Sequence, residues 1–100
     1  MIRKAADRDL ERIMQIEEIC FSSRWTKEMF LYELHENEFG HFYVLEENQK
    51  IAGFIDFWIT FECCQLANIA VHPSFQRRGY SRCLMDFMIA SAEQEQCETI

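Results

Sequence analysis

The chain has 100 residues, a net charge of −7 and 49% hydrophobic residues, which fits one folded domain and excludes a disordered one. One Pro and three Gly leave no composition typical of a linker, so a single domain over 1–100 is expected. An acidic chain repels nucleic-acid phosphate, and its longest apolar runs are too short to span a bilayer, so neither partner is expected.

Ile2 to Ala5 reads as a short first strand, and no long apolar stretch follows its basic pair as a secretory signal would require. Asp7 is placed to cap a helix over 7–20, with Asp9 and Glu11 at its positive end and Leu10, Ile13, Met14, Cys20 and Phe21 along one stripe. Glu17 falls inside that stripe. It is either a structural carboxylate satisfied by backbone amides at the helix end or a contact to a substrate amine, and the first is the more common situation. Ser22 to Trp25 is a loop, and Thr26 caps a second helix over 26–37 with Met29, Phe30 and Leu34 inward. Asn37 and Gly40 end it.

Three strands follow, over 41–46, 51–61 and 63–71. Glu47–Lys50 makes a hairpin turn between the first two, and Gly53 marks a bulge or a close approach of another backbone. His72 to Phe75 stops the third strand. A helix then runs over 79–94 with Leu84, Phe87, Met88 and Ser91 on one face, and 97–100 looks like the start of another strand. The expected fold is α/β, with strands 1–4 antiparallel and helices flanking them. A helix leaving a sheet strand normally feeds a parallel neighbour, so the domain is expected to be incomplete at its C-terminal side.

Five Cys occur without a CxxC pair, which suits reduced thiols in a cytoplasmic protein. Cys63 and Cys64 read as small residues on opposite faces of a strand, and no His or Cys spacing suggests a metal. Residues 1–75 carry 13 acids against seven Lys and Arg, whereas 76–82 carry three Arg and no acid. A local basic spot on an acidic chain points to an anionic ligand. There, Gln76-Arg77-Arg78-Gly79-Tyr80-Ser81 joins a strand to a helix start. Free backbone N–H groups and the helix dipole suit a pyrophosphate, and Gly79 lets the backbone approach it. No Walker loop, dinucleotide fingerprint or nucleophile elbow is present.

Gln76 to Ser81 resembles the coenzyme A signature of the GNAT acetyltransferases, with Ser81 where Gly or Ala is usual, and Asn68-Ile69-Ala70-Val71-His72-Pro73 is similar to that family's fourth strand. Ile16-Glu17 with Phe21, Trp25-Thr26 and Asn68 to Val71 resemble its ribosomal-protein-alanine subgroup. The resemblance implies a site for the cosubstrate acetyl-CoA at Ile69, Ala70, Val71 and Gln76 to Ser81. Ile69 and Val71 would bind the pantetheine arm through their backbones, and the loop amides would hold the pyrophosphate. It also implies an acceptor amine at a protein N-terminus, with Glu17 and Trp25 as candidate contacts to it, no metal, and a base and an acid beyond Ile100. The acceptor would be a ribosomal protein, and no signal for an oligomeric state is present. A CoA-binding module without catalysis and an interaction domain with an Arg-rich loop are the competing readings.

Overall fold

The structure, a computed structural model, describes residues 1–22 and 24–100. Strand β1 (Ile2–Lys4) leads through a 3-10 turn to helix α1 (Leu10–Cys20), and α2 (Lys27–His35) follows. Strands β2 (Gly40–Glu47), β3 (Lys50–Thr60) and β4 (Cys63–Val71) form a meander, and α3 (Tyr80–Gln94) comes last. The sheet order is β1-β2-β3-β4, antiparallel throughout. Past α3 the chain returns to the start of β4: Cys63 and Thr99 form a parallel bridge, with Cys64 N donating to Thr99 O at 2.8 Å. The crossover read from the sequence is therefore begun.

The sheet buries both faces. Phe42, Val44, Phe54 and Ala70 pack beneath α1 and α2, against Ile13, Ile16 and Phe30. Leu45, Ile55, Phe57 and Val71 pack on the other face with Leu84, Met88 and Ala92 of α3. Because β3 lies inside both clusters, its sequence is a nearly unbroken apolar run rather than an alternating one. Each such Phe or Ile stabilises the fold by roughly 1.5–3 kcal/mol through burial.

Several local expectations need correction. Asp7 does not cap the first helix; it pairs with His35 at 2.7 Å. The tight turn before α1 is closed by Asp9, whose carboxylate accepts from Ala6 N at 2.8 Å and from both Arg3 Nη atoms at 2.8 and 2.9 Å. Met29 was expected inside but is 45% exposed. Glu33 takes the inward position instead, because its carboxylate accepts from Trp58 Nε1 at 2.7 Å and from Asn37 Nδ2. Phe61 leaves β3 one residue early, with φ of 53°. Asn48 and Gln49 also have positive φ, as a tight two-residue hairpin turn requires.

Two expectations about particular residues hold. Thr26 caps α2 through its Oγ1, which accepts from Met29 N at 3.2 Å. At Gly53 a Cβ would lie 2.6 Å from Ala70 O, so only glycine allows β4 to come this close. The register also slips between Asp56 and Phe57, whose partners are Asn68 and Leu66. Ala67 is thus an extra residue in β4, a bulge just before the segment that carries the site.

Candidate functional site

The C-terminal end of β4 presents an open edge. His72 N donates inward to Ala52 O at 2.8 Å, and Val71 stands opposite Gly53 and Ile69 opposite Ile55. Antiparallel ladders alternate, so the backbone groups of Val71 and Ile69 point away from β3. The outward carbonyl of Val71 is taken by Gln76 Nε2 at 3.2 Å and by the Cys20 thiol at 3.4 Å.

The loop after β4 is shaped for an anion. Arg77 and Gly79 have φ of 67° and 79°, and left-handed steps of this kind turn consecutive N–H groups toward one concave side. The first bond of α3 runs from Cys83 N to Gly79 O. The amides of Gly79, Tyr80, Ser81 and Arg82 therefore lack intrahelical acceptors. A Cβ built on Gly79 would meet nothing within 4 Å: the glycine is required by its backbone angle, and the space in front of it is open. Arg78 lies 5.3 Å over the Phe75 ring and 3.9 Å from Glu47, while Arg82 is 4.0 Å from Asp86. Such exposed, loose pairs leave the local potential positive.

A cleft of about 400 Å³ joins these parts. Eight of the nine residues assigned to the cosubstrate from sequence line it: Ile69, Ala70, Val71, Gln76, Arg77, Gly79, Tyr80 and Ser81. Arg78 is the ninth and stands outside the lining, on Phe75. Tyr80 is half-buried and packs on Phe75, with ring centroids 6.3 Å apart. Cys20 and Phe21, at the end of α1, line the cleft too; nothing in the spacing from 20 to 71 signals this. Burial holds the Cys20 thiol above its ordinary range, with Glu17 adding to the effect, so it is a neutral donor.

Glu17 is 2% exposed. One carboxylate oxygen accepts from Trp25 N at 2.8 Å and the other from Asn68 Nδ2 at 2.9 Å. The side chain thus ties α1 to the following loop and to β4. Trp25 packs on Phe30 with centroids 5.2 Å apart and borders a surface cavity with Glu17, Glu18 and Arg24. Among the described residues no group of His, Cys, Asp and Glu could hold a metal ion. No helix there is long and apolar enough to cross a membrane.

A family model described as the acetyltransferase (GNAT) family matches residues 10–100. The chain belongs to the GNAT acetyltransferase family. A Bacillus subtilis (strain 168) protein, named provisionally as a ribosomal protein bS18-alanine N-acetyltransferase, is 36% identical over 80 residues, which cover 80% of this chain and 52% of that protein. The crystal structure of the ribosomal-protein-S18-alanine N-acetyltransferase from Escherichia coli has a TM-score of 0.87 at 27% identity, covering 97% of this chain and 61% of that one. A Thermoplasma acidophilum PaiA N-acetyltransferase, crystallised with coenzyme A, shares the fold at a TM-score of 0.83 and 17% identity, covering 97% of this chain and 74% of that one. The chain thus spans about half to three-fifths of the length of the curated relatives it matches.

Proposed function

We propose that this chain carries the cosubstrate half of an acetyl-CoA-dependent N-acetyltransferase, acting in the cytoplasm on the N-terminal amine of a ribosomal protein. The observation that carries the reading is the single cleft in which the outward edge of Ile69 and Val71 meets the amide-rich loop at the start of α3. The pyrophosphate fits that loop because its charge meets unpaired N–H groups and a helix N-terminus. The pantetheine arm is amide-bearing, and it matches the outward backbone groups of β4 as an added strand would, with the Val71 carbonyl shared with Gln76 and Cys20.

In the reaction so proposed, the neutral amine attacks the thioester carbon, the C–S bond breaks, the amine loses a proton and the departing thiolate gains one. A backbone N–H at Val71 would stabilise the developing oxyanion. The proton-handling groups are assigned to the part of the relatives' length that lies beyond this chain's span. The acceptor rests on the names of the Bacillus and Escherichia relatives.

Ser81→Asp separates a binding role from a structural one. Ser81 is exposed in the first turn of α3. A carboxylate there favours the helix by about 0.3–1 kcal/mol while repelling a phosphate. We expect an unchanged or slightly higher melting temperature and coenzyme A affinity at least tenfold weaker by calorimetry. Unchanged affinity would remove the loop from the site. The acceptor is tested by mass spectrometry of peptides incubated with acetyl-CoA and a form extended to the relatives' length; acetylation confined to Lys side chains would overturn it.

A further inference from the structure

A second cleft, of about 640 Å³, opens beside Phe75, a residue that lines both cavities. Four cationic side chains line it, Arg3, Arg8, Arg12 and Lys50, against two carboxylates, Asp9 and Glu46. Both carboxylates are already engaged by Arg3: Asp9 at 2.8 and 2.9 Å and Glu46 at 3.2 Å. Among the described residues, Arg8, Arg12 and Lys50 have no carboxylate within ion-pair distance. Three cations without a carboxylate at ion-pair distance in one hollow stand out on a chain of net charge −7. Like charges brought together without counter-charges cost free energy unless an anion joins them.

The hollow is also arranged to donate. Arg12 is held in place by its Nε on Ile51 O at 3.1 Å and one Nη on Gln15 Oε1 at 2.9 Å. His72 Nδ1 accepts from Ser74 N at 3.0 Å, which leaves the ring hydrogen on Nε2. Burial, and then the nearby Arg12, keep this imidazole below its usual range.

We propose that this cleft binds a small phosphorylated ligand, at a site separate from the cosubstrate loop and able to be filled together with it. A guanidinium fork and an ammonium group suit a phosphate dianion, and the volume admits a small phosphate ester. Nucleic acid is the poorer fit, because the acidic remainder of the chain would repel the flanking phosphates.

The test uses ¹H–¹⁵N spectra of the chain titrated with inorganic phosphate and with glycerol 3-phosphate, in the presence of saturating coenzyme A. Saturable shifts at Arg12, Ile51, His72 and Ser74 are expected. Arg8→Gln/Lys50→Gln should weaken them at least tenfold while leaving coenzyme A affinity unchanged; both side chains are exposed and unpaired, so folding should be unaffected. The Ser81→Asp variant should show the opposite pattern. Shifts confined to 76–82, loss of phosphate binding when coenzyme A is present, or no saturation would overturn the proposal. So would a single-stranded RNA oligomer that binds the same residues more tightly than the phosphate ester.

Discussion

Asp56 has no exposed surface; no donor among the described residues reaches its carboxyl oxygens, and it lies against the Glu33 carboxyl, to which only a protonated Asp56 can donate. Burial first, and then the neighbouring carboxyl of Glu33, push it up to about 9. It is therefore protonated at neutral pH. In the unfolded chain it ionises near its ordinary value of about 4. Between those values the unfolded state binds fewer protons than the native one, so this residue makes stability fall as pH rises and stops doing so above about 9. Asp56→Asn should remove that slope. We expect a gain of about 1 kcal/mol or more at pH 8, disappearing near pH 4, in thermal melts across that range; parallel curves for the two proteins would refute it. Asp9 works in the opposite direction. The Arg3 contact, chiefly, holds it below its ordinary range, so its stabilisation is present above that range and is lost as acid protonates it in the folded state.

At the scale of elements, Gly53 couples the core to the site. The Cβ of Gly53→Ala would lie 2.6 Å from Ala70 O and 3.1 Å from Val71 Cγ2, so β4 must move where it carries the cleft. Overpacking of this kind costs about 1–3 kcal/mol. The variant should melt several degrees lower and bind coenzyme A more weakly; weaker folding with intact affinity would show that the edge is less tightly tied to β3 than the geometry says. The hairpin at 47–50 and the face of α3 could be read from sequence because each depends on neighbouring residues, and Gly53 because a glycine inside a strand itself marks a bulge or a close approach. The start of the first helix was less legible. Asp7 was placed as the cap by sequence, but the turn is closed by Asp9, drawn in by the guanidinium of Arg3, a strand residue. Likewise Glu33 displaced Met29 from the interior because Trp58, 25 positions away, supplies a half-buried indole donor.

At the scale of the whole molecule, the cleft proposed for the cosubstrate was legible as a candidate because its residues are nearly contiguous, from Ile69 to Ser81, on one strand, loop and helix start. What closes it from α1, Cys20 and Phe21, was not, since only the packing of α1 on the sheet brings them there. The basic hollow bordered by Phe75 is not legible along the chain for the same reason. Arg3, Arg8, Arg12 and Lys50 come from three elements and a turn; Arg8 and Arg12 alternate with Asp7, Asp9 and Glu11, and Lys50 follows Glu46 and Glu47, so only the fold gathers them with Arg3. The alternation of the β4 ladder has a consequence for solvent exchange. The amides of Ala70 and His72 point into the sheet, while those of Ile69 and Val71 point outward. In deuterium oxide the inward pair should exchange slowly and the outward pair fast, and coenzyme A should slow the outward pair alone. Uniform protection across the four residues, before any ligand is added, would mean that something else already covers that edge. Alternating rates that the ligand evens out would record, one amide at a time, the addition of a strand that is not made of protein.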